Sequence, residues 1–197
     1  MHVQPIYLRK YLGMQIQKNN LSLKDMGRHL FQAGAFLFLI SWGAKIDFDL
    51  GGLVSFTLQT LFLGLAYYYL PFGWRLGLVT VYLLLGILGI PVFNGGAGWD
   101  YFSSWPLGFF MGFVLSVFVT KSSKSNFYAF LSFFFRVHMI ILLSGIVWIG
   151  VYADSFTRAL ETCVELLPGA IIKSLVGAAI VWVVEKKLVL KTKGIKR

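Results

Sequence analysis

Six apolar segments, separated by short breaks, constrain this 197-residue chain more than any other feature. They run over about 29–44, 53–70, 76–93, 105–120, 127–152 and 168–184. A helix that crosses a bilayer needs about 20 apolar residues, so the shorter segments must borrow flanking residues or be buried against neighbours. The chain is 57% hydrophobic and only 13% charged, whereas an ordinary soluble domain carries about a quarter charged residues. Only helices and closed barrels satisfy every backbone group inside lipid. The pattern therefore predicts an all-α membrane protein with six transmembrane helices in one domain, 29–188. Basic cytoplasmic tails flank it at 1–28 and 189–197.

The formal net charge is +10, and its distribution explains it. Fourteen of the 18 basic residues fall before the first segment, after the last, or in the breaks holding Arg75, Lys121 and Lys124. Six of the eight acids, namely Asp47, Asp49, Asp100, Asp154, Glu161 and Glu165, fall in the alternate breaks. Cytoplasmic loops of membrane proteins are enriched in Lys and Arg. Both termini are thus expected in the cytoplasm, with the chain a multi-pass membrane protein. No basic stripe alternates with aromatics as a nucleic-acid platform would, so no nucleic-acid partner is expected. Residues 1–28 lack the apolar centre and small-residue exit of a cleavable signal. The single Cys163 excludes an internal disulfide framework.

The stretch GIPVFNGGAGWDYFSSW (89–105) interrupts this regularity. Glycine-rich, non-helical backbone at membrane depth is tolerated only when buried in protein or lining a cavity. Aromatic residues beside it suit a small, partly apolar ligand. The loop is therefore read as an outer cap over a ligand. Phe93, Asn94, Gly95, Gly96, Trp99, Asp100 and Tyr101 are candidate substrate-binding residues. Two polar residues within the apolar segments join them. Lys173 lies five residues after Pro168, one to two turns into the last segment, and an intramembrane ammonium is a candidate counter-ion for an anionic ligand. Gln59 offers an amide to a neighbouring helix or to a ligand. His138 and Arg136 are read as packing or interfacial residues.

Catalytic signatures are absent. His2, His29 and His138 have no metal spacing, and no G-x-S-x-G occurs. Lys173-Ser174 follows Ile172 rather than glycine, so it cannot end a phosphate-binding loop. Neither enzymatic activity nor a cofactor is expected.

Three blocks resemble the BioY family, the biotin-binding S components of energy-coupling-factor (ECF) transporters. FTLQTLFLGLA (56–66) is similar to that family's T-L-Q-T entry to its second span. YLLLGILGIPVFNGGAG (82–98) is similar to its L-L-L-G-L-x-G-L-P-V-F-x-G-G-x-G block, and LLPGAIIKSLVGAA (166–179) to its L-P-G-D-x-x-K stretch. The resemblance covers about residues 30–188. It implies a six-helix S-component fold that captures biotin from the outer face. It also implies two kinds of partner, a transmembrane coupling protein and cytoplasmic ATPase subunits that drive uptake. Two departures stand out. Ala170 occupies the position of the family's aspartate, with Asp100 of the glycine-rich loop read as the acid that compensates. WPLGFF (105–110) stands where the family has G-P-T-G-G-Y. Ala170 keeps an S component for another vitamin as the alternative.

Overall fold

The computed structural model describes residues 23–48 and 56–194. Seven helices are present among them: α1 (Leu23–Lys45), α2 (Gln59–Tyr69), α3 (Phe72–Ile87), α4 (Gly98–Phe102), α5 (Leu107–Ser116), α6 (Phe127–Tyr152) and α7 (Phe156–Gly194). Between α1 and α2, β1 (Asp47–Phe48) and β2 (Phe56–Thr57) form a two-residue antiparallel ribbon pairing Asp47 with Thr57. The basic residues at 9, 10 and 18, the acid at 49 and the last two basic residues lie outside the described residues.

Local chemistry sets the helix ends. Proline presets φ near −65°, which suits a helix start, and Pro71 precedes α3 with φ −62°. The same helix is predicted to continue to Phe93 but stops at Ile87. Gly89 takes φ +92°, the Gly89 amide donates to the Gly86 carbonyl, and the Ile90 amide donates to the Leu85 carbonyl. That is a Schellman motif, which ends a helix at a left-handed glycine. The apolar run 90–93 therefore folds back and drives Phe93 into the core, where it is 1% exposed. At α6 the Asn126 side chain accepts the Ala129 amide proton at 2.9 Å, satisfying one of the orphan donors of a helix start.

The last segment departs most from expectation. Its helix begins at Phe156 rather than at Pro168, which lies inside α7. Residues 156–167 are mostly good helix formers, and Ala159 and Thr162 are buried against neighbours. That packing offsets the hydrogen bond that an interior proline removes. At 39 residues and a rise of 1.5 Å each, α7 is about 58 Å long, so it extends well beyond the ~30 Å hydrocarbon layer. Among the described residues α6 and α7 are the helices long and apolar enough to cross a membrane by themselves, whereas α3 and α5 are shorter apolar helices.

The core is aromatic. Phe93 lies 4.4 Å from the Phe110 ring and 5.4 Å from Tyr82, centroid to centroid. Tyr68, Phe133 and Phe134 form a second cluster between α2 and α6. Close helix approach depends on small residues. A Cβ on Gly112 of α5 would come within 2.7 Å of the Ile141 Cα on α6. The outward faces are also apolar: Leu143, Val147 and Val151 on α6, and Ile172, Trp182 and Val183 on α7, are exposed. Apolar residues that face away from the core at this density suit lipid rather than water.

Candidate functional site

The ribbon, the 88–106 connection and the end of α6 meet at one end of the bundle, where Asn94 bonds Asp47 and Trp148 bonds the Ser104 carbonyl. A cavity of about 240 Å³ opens there, slightly below the roughly 300–1,000 Å³ usual for ligand pockets. Helical spacing builds its walls. Pro106, Phe109, Phe110 and Phe113 line it from α5 and its N-cap, His138, Ile141 and Leu142 from α6, and Leu166, Ala170 and Lys173 from α7. Residues three, four and seven apart share a helix face. Asp47, Thr57, Gln59 and Thr60 complete it from the ribbon and the start of α2, with Asn94, Gly95, Tyr101 and Trp105 from the connection.

The glycine connection is held in place by its own side chains. Gly95 has φ +81°, a conformation glycine adopts without the cost other residues incur. The Tyr101 hydroxyl donates to the Asn94 carbonyl, and a Cβ on Gly96 would run into the Tyr101 ring. Burial raises the Tyr101 phenol from its ordinary 10.0 to about 12, so it stays a donor at neutral pH. Lys45 Nζ donates to the Phe93 carbonyl, and Trp148 Nε1 donates to the Ser104 carbonyl at 2.8 Å. These bonds tie the connection to α1 and α6.

Five of the nine candidate residues meet at the cavity: Gln59, Asn94, Gly95, Tyr101 and Lys173. Lys173 Nζ donates to the Thr57 carbonyl at 3.2 Å, joining α7 to the ribbon. Asn94 Nδ2 donates to Asp47 Oδ2 at 3.2 Å. The Gln59 amide nitrogen donates to the Tyr82 hydroxyl, which in turn donates to the Val92 carbonyl at 3.0 Å. Gln59 thus presents a wall held by an interhelical bond. The other four do not line the cavity. Phe93 lies behind it in the core, Gly96 is covered by Tyr101, and Trp99 and Asp100 are exposed. The carboxylate at the cavity is that of Asp47, because the Asp47–Thr57 pairing sets both on one face of the ribbon.

Trp105 ends the stretch read as an outer cap, whereas sequence reasoning passed over Asp47 and Thr60 and read His138 as packing. For His138 a signal existed: it is a lone ionisable ring within a long apolar helix, the same warrant that marked Lys173. No spacing marked the others, whose place depends on the ribbon and on the fold of the connection.

Fold and cavity together define a helical membrane protein built around a small-molecule pocket. Residues 15–189 match the model of the BioY family, and the chain belongs to that family. It is 33% identical over 138 residues to the biotin transporter BioY of Thermotoga maritima, covering 68% of this chain and 81% of that protein. It is 30% identical over 114 residues to the biotin transporter BioY of Rhizobium etli, covering 51% and 61%. Its fold matches the crystal structure of the S-component for biotin from an ECF-type ABC transporter. The TM-score is 0.68 at 19% identity, over 85% of this chain and 95% of that one.

Proposed function

We propose that this chain is the substrate-binding membrane subunit of an ECF-type biotin importer. It takes biotin from the outer face and passes it inward with a transmembrane coupling protein and cytoplasmic ATPase subunits. In this reading α1, α2, α3, α5, α6 and α7 are six spans of the bacterial cytoplasmic membrane. Residues 1–28 and 189–197 are cytoplasmic tails, which the basic ends of the sequence support.

The observation that carries the reading is a small cavity whose wall combines aromatic rings with the Lys173 ammonium, in a chain of the BioY family. Biotin has a ureido ring, an apolar thiophane ring and a carboxylate tail. Tyr101, Trp105 and Phe109 offer apolar surface to the thiophane ring. Lys173 offers charge-assisted donors to an oxygen of the ligand, and Asn94 reaches the rim from the glycine connection. Phe93 and Gly96 act from behind, by fixing the connection on which Asn94 and Tyr101 stand.

Isothermal titration of the purified protein with biotin, thiamine and riboflavin tests the reading. Heat on adding biotin and none with the other two is the expected result. Binding of another vitamin in preference to biotin overturns it, and Ala170 at the cavity wall makes that comparison necessary.

A further inference from the structure

His138 lies midway along α6, 2% exposed, with its ring at the cavity wall. Its Nδ1 lies 2.9 Å from Ser174 Oγ on α7. That hydroxyl donates to the Ala170 carbonyl, one turn earlier, at 2.7 Å. A serine hydroxyl has one proton. With that proton given to Ala170, Ser174 Oγ can only accept from the imidazole. The chain of bonds assigns the proton to Nδ1 and leaves Nε2 a bare acceptor. Nε2 is buried with no hydrogen-bond partner. The backbone carbonyls of Phe134, one turn earlier on α6, and of Thr60 on α2 stand near the ring, but neither makes a hydrogen bond of good geometry to Nε2. Thr60 Oγ1, on the facing helix α2, is likewise buried and unpartnered, and Thr60 also lines the cavity.

Two buried polar atoms without partners, on residues that line one cavity, are costly in an empty protein. Native proteins rarely leave such groups idle. We propose that His138 is a ligand-reading residue whose Nε2 accepts a hydrogen bond from a ligand N–H, with the Thr60 hydroxyl as a second contact beside it. Resting on the biotin reading above, the N–H belongs to the ureido ring. A carboxylate carries only acceptors and cannot answer Nε2. A cyclic urea supplies both complements, N–H donors for Nε2 and a carbonyl oxygen for the Thr60 hydroxyl or the Lys173 ammonium. Ser174 is a positioning residue: it holds the imidazole from the same turn of α7 that carries Ala170. His138 thus provides the hydrogen-bond acceptor that the alanine side chain at 170 lacks.

The test uses the purified full chain, biotin, and biotin methylated on its ureido nitrogens. The unsubstituted protein should bind biotin at least tenfold more tightly than the methylated form. His138→Phe should weaken biotin binding about tenfold to a hundredfold and erase the preference between the two ligands. His138→Gln, which restores a side-chain acceptor, should recover part of it. In the unsubstituted protein, nitrogen NMR of labelled histidine should show an unprotonated Nε2 that shifts with biotin and not with the methylated ligand. This measurement stands even if a variant fails to fold. Unchanged biotin affinity in His138→Phe, equal binding of both ligands by the unsubstituted protein, or a proton-bearing Nε2 overturns the assignment of His138 alone. Failure of the unsubstituted protein to bind biotin overturns the functional reading itself.

Discussion

At the end of the bundle opposite the cavity, the cationic heads are turned onto protein. Arg75, 8% exposed, donates from Nε to the Leu70 carbonyl at 2.8 Å and from Nη1 to the Val119 carbonyl at 3.0 Å. Arg136 Nη2 reaches the Thr120 carbonyl, and Lys121 Nζ sits 4.3 Å from the centre of the Tyr68 ring. Burial, then the nearby Arg75 charge, lowers the Lys121 pKa, with Glu185 acting the other way. At the cavity end, Thr60 and His138 keep polar atoms without protein partners. Polar groups at the first end close helix termini and connections. At the second they are held in position around the cavity. Tyr69, whose hydroxyl has no partner, is the exception at the first end. The difference teaches that residue type alone does not separate structural from functional polar groups. Position against the cavity does.

The contrast breaks or sharpens under substitution. Arg75→Met should have the largest effect. It strands two buried carbonyls and removes charge-assisted bonds of about 1.5–3 kcal/mol each. Thermal unfolding in detergent should shift downward markedly while the dissociation constant of the surviving folded protein changes less than about twofold. Lys173→Met should do the reverse. Loss of one charge-assisted contact weakens biotin binding roughly tenfold to a hundredfold, with ligand-free unfolding shifted less than in Arg75→Met because one protein bond rather than two is lost. If the two variants behave alike, the division between the ends fails.

Gly96→Val comes next, because the added side chain must displace the Tyr101 ring. Titration calorimetry should show about tenfold weaker binding. Tyr101→Phe removes one neutral hydrogen bond, about 0.5–1.5 kcal/mol, and should weaken binding only a few-fold. Its phenol titrates at about 12 in the folded protein against an ordinary 10.0. The stabilisation from that protonated phenol is therefore full below pH 10 and lost as pH rises through about 12. Tyrosinate absorbance should show one fewer late-titrating group in the variant. Asp100→Asn, at an exposed position outside the cavity, should leave affinity within about twofold, as rim charges contribute little.

Much of the fold was legible in the sequence because membrane helices must be apolar along their length and must satisfy their own backbone. The segment 127–152 coincides with α6. Lys173, Asn94, Gly95 and Tyr101, which line the cavity, stood out in the sequence for the same reason, since charge and glycine-rich backbone are conspicuous in such surroundings. The start of α7 was not, because its first turns are held by packing that hydropathy does not record.

The sequence by itself determined an apolar helical chain with basic ends, an aromatic and glycine-rich interruption, and an ammonium where lipid would not accept one. These follow from solvation of single residues. Tertiary structure alone decided that Asp47 rather than Asp100 supplies the cavity carboxylate, that Phe93 packs behind the wall, and that His138 and Thr60 come together at the cavity wall. Each depends on groups distant in the chain meeting at one point, through a two-residue ribbon, a Schellman turn and a hydrogen bond between α6 and α7. No local property of a residue encodes such meetings.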